Sequence, residues 1–484
     1  MSTTPQAAPD AGPLTSVTAQ QRASPLADPR PTAPGTTGGG STGARPTFGQ
    51  LSAYASGSIG MGIWVTVPGL LLLYFLTDVL GVPAFIAGLT LLLPKVVDIV
   101  VHPMLGSRSD REARRTGHRR RMMRGGLLLG GSMIGMFSVP AGLEGAVAAW
   151  WVGGWFVLGN LLFASFQVPY ITTPSDLLIG YHERTRVFMF RMLFLTLGLL
   201  GAGVAAPALV SAGGRGDYTL MATLLAVVML VSATVALIGT RRLTEAVGTR
   251  VPTASARHST LADLKVAWAD RQFRMLVLSY LFTGMTTHLF LAAVPYYTAY
   301  VFDNGKLTAL FMGLFLAPAV FAGPAWLALS RRIGKQRGLL LSQSIFVVGS
   351  LALLLGPSVG VAVTAAVIMA LGIAFAGLQL FAFSMVPDAV AAAEETGVSK
   401  AGAYTGVWTA TDSTSTALGP YVYAAVLGFG GFVSSTAGES VTQSDSAISA
   451  LLLGFTVVPA ALMLVAMSFQ RRYHLDRSPV TSTS

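Results

Sequence analysis

Three ionisable residues interrupt the apolar stretch LLLPKVVDIVVHPMLGSRSD (residues 91–110): Lys95, Asp98 and His102. Spacings of three and four put them on one face of a helix. A charge facing lipid is expensive, so that face must turn toward protein or water. The chemistry open to such a trio is cation handling. A carboxylate accepts a proton or ligates a metal ion, and an imidazole changes charge near physiological pH. Sodium wants several hard oxygen ligands, and one carboxylate beside an imidazole supplies few. Protons, rather than sodium, are the expected coupling ion, carried by Asp98 and His102 with Lys95 beside them. Two plainer readings stand next to this one. A neutralised pair of Lys95 and Asp98 could simply lock helix packing, and His102 could cap the kink before Pro103.

Other polar side chains also sit in apolar runs. Arg191 is a forked donor suited to an anionic or hydroxylated solute, unless it snorkels to the surface. Gln167 and Tyr170 could bind hydroxyls or bond a neighbouring helix, and Tyr404 and Trp408 could stack on a solute or pack. Asp412 lies in the polar run TDSTST (residues 411–416) and offers oxygen acceptors there. His288 reads as a hydrogen-bonded packing residue. No soluble-enzyme constellation is visible. The chain has no cysteine, which removes thiol chemistry and disulfides. It lacks the Gly-x4-Gly-Lys-Ser/Thr phosphate loop and ligands at zinc spacing. Neither an enzyme nor a cofactor beyond a coupling ion is expected.

The elements that must position these residues follow from composition. Of 484 residues, 52% are hydrophobic and 11% charged, against about 25% charged in soluble domains. With a mean hydropathy of +0.62, this predicts an all-α polytopic membrane protein. A crossing takes about 20 apolar residues, and twelve runs qualify: 50–76, 84–106, 122–140, 147–171, 187–210, 218–240, 273–300, 307–330, 338–356, 360–387, 402–428 and 447–469. Of the 32 Lys and Arg, 28 fall in the N-terminal tail or in segments 107–124, 180–186, 241–274, 331–337, 388–400 and 470–484. The alternate turns hold only Arg215 and Lys306. Positive-inside topology then places both termini in the cytoplasm. It also explains the net charge of +11 without nucleic acid. Residues 1–46, rich in Pro, Ser, Thr and Gly, predict a disordered tail with no signal-peptide pattern. The domain reading is 47–240 and 273–470 as two six-helix bundles, a linker at 241–272 that could carry a surface helix at 261–268, and a tail at 471–484. Short basic turns after the second and eighth runs suggest a repeat of one half in the other.

Gly106-x-x-x-Asp110-Arg111-x-x-Arg114-Arg115 resembles the loop motif of the major facilitator superfamily. Residues 74–110 resemble the first two helices of its glycoside–pentoside–hexuronide:cation symporters, which include melibiose permease. VPY (168–170), ERTRVFMFR (183–191), DRQFRMLVLSY (270–280), GPAWLALSRRIGK (323–335), MVPDAV (385–390) and GAYTGVW (402–408) match in order. The resemblance implies two six-helix bundles and secondary transport. It also implies roles. In sugar-transporting members two acidic residues four apart on helix two bind the coupling cation. Asp98 matches the first, His102 replaces the second, and Lys95 keeps the preceding basic residue. The helix-one carboxylate has no counterpart, since residues 46–77 contain no Asp or Glu. The helix-four aspartate aligns with Gln167 and the helix-eleven lysine with Ser413, next to Asp412. Arg191 keeps the helix-five arginine. Gly106, Asp110 and Arg111 inherit a gating role, bracing the two halves while the cavity faces outward. Topology alone accounts for the arginines at 119–121.

The expected function is cation-coupled symport of a sugar-like or other small polar solute by a monomer in the plasma (inner) membrane. The alternatives are a proton-driven exporter of an amphipathic or non-sugar metabolite and a membrane sensor or scaffold that transports nothing.

Overall fold

The computed structural model describes residues 45–474, apart from 211–212, 250–264, 266, 396–400 and 438–440. The N-terminal tail, most of the linker and most of the C-terminal tail lie outside the described residues. Apart from two isolated bridges, all regular structure described is helical.

Helix α1 is built from Phe48–Ala55 and Gly57–Val67, then two widened π-turns at Pro68–Leu72 and Phe75–Val79. The following helices are α2 (Ala84–Thr116), α3 (Gly126–Phe137), α4 (Gly145–Asp176), α5 (Tyr181–Leu209) and α6 (Arg215–Val247). Then come α7 (Arg271–Tyr296, ending in a π-turn at Tyr297–Val301) and α8 (Leu307–Phe321 and Gly323–Ile333, bent by 56°). The last four are α9 (Lys335–Ala352), α10 (Gly356–Glu395, turning at Gly360), α11 (Ala401–Phe429) and α12 (Asp445–Gln470). Among the described residues, by length and hydropathy seven helical stretches can cross a membrane, or eight if the bent α8 is one span; α9 and α10 count there as one stretch. Helices α2, α3 and α11 are not among them: α3 is short, and α11 carries the polar run 411–416.

Helix ends overrun the apolar runs where charge resumes. Helix α2 continues ten residues past position 106, so the motif residues Asp110 and Arg111 lie on helix rather than loop. It stops at Gly117, whose φ of +72° suits glycine at a helix C-terminus. Glu112 accepts from the backbone N–H groups of Arg121 and Met122 at the next turn, supplying what unpaired helix-start donors need. Helix α6 reaches Val247, seven residues into the expected linker. At α7, Asp270 caps the start by accepting from the N–H groups of Gln272 and Phe273.

Helices α1–α6 pack on one another, as do α7–α12. Within the first set α1 meets α5 so closely that a Cβ on Gly62 or Gly198 would run into facing backbone at under 3 Å. In lipid, where apolar surface gives no net drive to associate, such small-residue contacts supply the packing. Buried polar pins add to them: Ser232 Oγ joins Ser56 and Gly60, and Trp64 Nε1 donates to Asn160 at 3.1 Å. Between the sets, α2 packs on α11, α5 on α8, and the π-turns of α1 on α7.

The hydrogen bonds seen between the two sets among the described residues lie at one end, opposite the basic turns. Gly81 N donates to Ser435 O (2.9 Å), Ser435 N to Thr77 O (2.9 Å) and Ala437 N to Val79 O (3.1 Å). Ser434 Oγ donates to Val82 O at 2.7 Å, and the Thr77 and Tyr296 hydroxyls meet at 2.7 Å. Tyr300 donates to Asp78. This far-end seam ties α1 to α7 and to the segment between α11 and α12.

Candidate substrate and coupling site

Helix α2 places its trio as the spacing predicts. Lys95 Nζ lies 3.3 Å from Asp98 Oδ2, and Asp98 is only 5% exposed. His102 is one turn further on. Its Nδ1 sits 2.9 Å from the backbone oxygen of Asp98, not from the carboxylate, and its Nε2 is 3.4 Å from Gln167 Oε1 on α4. Both ring nitrogens thus face oxygens, a pattern a doubly protonated imidazolium satisfies. A turn of the Gln167 amide satisfies the neutral ring instead.

The other residues are spread over several helices. Tyr170 is fully buried between α1 and α4, where its hydroxyl donates to Tyr54 O at 2.9 Å and meets Ser58 Oγ at 3.0 Å. Tyr54 stacks on it and returns a bond to Tyr170 O. That is the helix-bonding arrangement. Arg191 on α5 covers the Phe188 ring at 4.9 Å, and its buried Nε has no hydrogen-bond partner. Tyr404 is buried near the basic end, donating to Asp270 Oδ2 at 2.9 Å and packing on Phe273. Trp408 and Asp412 lie one and two turns deeper on α11. Tyr280 of α7 stacks on Trp408 with ring centres 4.1 Å apart and donates to Asp412 Oδ1 at 2.6 Å. Ser413 is half-buried next to Asp412. His288 bonds Gly284 O and Thr416 Oγ1, within electrostatic reach of both Asp412 and Lys95.

Antiparallel α2 and α11 set these groups at one depth. A Cβ on Gly88 would strike Ala424 and Tyr421, and Phe85 packs on Tyr421. Continued toward the basic end, that register brings the level of Asp98 to that of Asp412. A separate small cleft, lined by Leu71, Tyr74, Pro207, Tyr218 and Pro295 among others, lies at the far end, away from these groups.

At the basic end the motif does something other than the expected gate in this conformation. Asp110 accepts from Arg119 at 2.5 Å, and Arg119 also donates to Asp176 at 2.6 Å and to Ser109 at 3.0 Å. All four belong to the first set of helices. Arg119, at 6% exposure, is a structural brace between α2 and α4 and not merely a topological charge. Burial works against its charge, but the bonds and charges of Asp176 and Asp110 outweigh that and hold its pKa above the ordinary value. The second set repeats the device: Lys335 after α8 donates to Asp388 on α10 at 2.5 Å and to Ser384 O at 3.3 Å. Arg111 is exposed, and Gly106 has open space around it.

Sequence reasoning passed over Asp78, Tyr300, Asp176 and Tyr280. A signal existed for one pair. Asp176 and Asp388 both closely follow a proline near the basic end of corresponding helices, as PSD and PD.

A polytopic helical protein with a closed far end and titratable groups midway is the architecture of a major facilitator. The chain belongs to the MFS/sugar transport protein family, whose model matches residues 53–477. Among curated relatives, an uncharacterized symporter of Synechocystis is 32% identical over 155 residues, covering 30% of this chain and 28% of that protein. A putative glycoside/cation symporter of Escherichia coli is 29% identical, covering 35% and 37%. These two alignments span well under half the relatives' lengths. An isoprimeverose transporter of Lactiplantibacillus pentosus is 24% identical over 84% of each chain. Among solved structures, an inward-facing, unoccupied bacterial homolog of the human lysosomal transporter Spinster gives a TM-score of 0.65 at 15% identity, covering 89% of this chain and 98% of that one. A bacterial ferroportin homologue gives 0.62 in its inward-facing state at 16% identity, covering 88% and 97%.

Proposed function

We propose that this chain is a secondary active transporter that couples entry of a small polar solute to protons by alternating access. In this reading all twelve helices cross the plasma (inner) membrane, the basic end is cytoplasmic with both termini, and the far end faces outside. One chain lines the whole site, so the working unit is a monomer. The observation that carries the reading is the far-end closure: among the described residues the hydrogen bonds seen between the two sets of helices lie at the far end, while Asp98, His102 and Asp412 lie between that seam and the basic end. This is the arrangement of a carrier open to the cytoplasm. The relatives' names, a glycoside/cation symporter and an isoprimeverose transporter, support a solute of that general size and polarity.

Coupling rests on Asp98. Its carboxylate holds Lys95, and a proton arriving there takes the place of that cation. Lys95 is then free to move, and the imidazole of His102 tolerates either charge. Sodium would need more oxygen ligands than the one Asp98 carboxylate supplies.

The test is solute uptake into proteoliposomes holding the wild type or Asp98→Asn. A proton gradient should drive accumulation at constant sodium, and the variant should lose at least tenfold of it. Accumulation driven by sodium alone would reverse the ion assignment. An Asp98→Asn protein accumulating solute like the wild type would remove the coupling role.

A further inference from the structure

Resting on the transport reading above, the structure assigns the solute a chemical class: we propose that it is an organic cation, an amine or quaternary ammonium compound with an oxygen acceptor a few bonds away. The site is Asp412 with Tyr280, Trp408 and Phe383.

Three observations lead there. First, Asp412 is a carboxylate without a counter-charge. Tyr280 holds one oxygen at 2.6 Å, and among the described residues no Lys, Arg or His forms an ion pair with it. The His288 ring, within electrostatic reach of Asp412, bonds Gly284 O and Thr416 Oγ1, and Lys95 is held by Asp98. Second, aromatic rings frame it. Tyr280 stacks on Trp408, and Phe383 of α10 meets both edge-on at 5.7 and 5.5 Å. Phe383 keeps 49% of its surface exposed, leaving ring area open to a ligand. Third, Trp408 is 95% buried, yet its indole Nε1 has no acceptor. A buried donor left unmade is costly, so it calls for a partner.

Charge decides between a cation and a neutral polyol. Either could accept from Trp408 and donate to Asp412. When the site closes around a solute, however, water leaves, and an ionised carboxylate held there without a cation is strongly disfavoured. A neutral solute brings none. An ammonium group pairs with Asp412 and gains further from the exposed Phe383 ring. Its neighbouring oxygen then takes the Trp408 N–H. The site thus inverts the charge that the family resemblance would place there, since Ser413 stands at the lysine position and an acid stands beside it.

The experiment is equilibrium dialysis of the full-length protein in detergent micelles, with no gradient, against two matched pairs of probes. Choline is set against its neutral carbon isostere, and galactosamine against galactose at mildly acidic pH. At least one amine should bind roughly tenfold or more tighter than its neutral partner. Asp412→Asn should remove that preference while Asp412→Glu retains most of it, and Trp408→Phe should weaken binding of either amine. Equal binding of both members of each pair, no binding of either amine, or an Asp412→Asn protein of normal elution profile with unchanged preference would overturn the proposal. Charge-selective binding without uptake into vesicles would instead count against transport alone. Uptake of neutral solutes unaffected by Asp412→Asn would count against the solute class alone.

Discussion

A single arginine shows how residue chemistry and topology can be confused. The run of arginines at 119–121 is what any cytoplasmic turn would carry, and position-by-position charge counting cannot separate its members. Only the fold shows that Arg119 is nearly buried between Asp110 and Asp176, while Arg121 is exposed. Tyr170 carries the same lesson. Its partners, Tyr54 O and Ala55 O, are more than 110 residues away, so local spacing could leave only two readings open. By contrast, the meeting of Lys95 and Asp98 was legible, because both lie on one helix and the helix period alone brings them together. Removing Arg119 leaves two carboxylates facing each other without a cation. Arg119→Ala should therefore destabilise the protein by roughly 2–4 kcal/mol, near the lower value because Asp110 is about a third exposed. Arg120→Ala, whose pairing with the exposed Glu245 carboxylate is loose at 3.6 Å, should shift the unfolding midpoint far less. Thermal unfolding of the two purified variants side by side checks the contrast.

At the scale of elements, the seam between α1, α7 and residues 434–437 works mainly through backbone. Its N–H donors come from Gly81, Ser435 and Ala437. Most side-chain changes there should be tolerated, while Ser435→Pro, which deletes one N–H and fixes φ, should open the far end. Tyr300→Phe removes the side-chain tie to Asp78 and should favour opening by about 1 kcal/mol, or roughly fivefold in the open-to-closed ratio. A membrane-impermeant thiol reagent applied to a cysteine placed at Thr436 reports both, with faster labelling expected in the order Ser435→Pro, Tyr300→Phe, parent. Hydropathy could not foresee this seam. It marks where chain enters lipid but says nothing about which turns pair, and Asp78 lies just outside the apolar run. Helix ends were misjudged for a related reason: α2 continues to Thr116 because its charged turns are stabilised outside the lipid, where no hydropathy signal exists.

For the whole molecule, lipid makes the reading from sequence easy. Backbone polar groups in a bilayer must be satisfied within the segment, so apolar runs become helices and the paired basic turns order them. What stays hidden is which conformation the two sets of helices adopt, since each set is internally complete. Both ionic braces, around Arg119 and around Lys335, stay within one set. Alternating access then requires breaking the far-end seam without breaking either brace. Because the chain has no cysteine, the motion can be stopped with one engineered crosslink. Val82 and Ser434 touch, with Ser434 Oγ 2.7 Å from Val82 O. Val82→Cys with Ser434→Cys should oxidise readily, abolish uptake, and regain it on reduction. Uptake unchanged by a complete crosslink would show that the far end need not open.

The widened turns of α1 and α7 carry a mechanical corollary. They fall at matching places, Phe75–Val79 and Tyr297–Val301, and each carries one partner of the bond between Asp78 and Tyr300. A π-turn holds one residue more than an ordinary turn. Letting that residue slip out would swing everything beyond it through about 100°, one residue's angular step. The far-end clasp would then come undone as two helix tips unscrew.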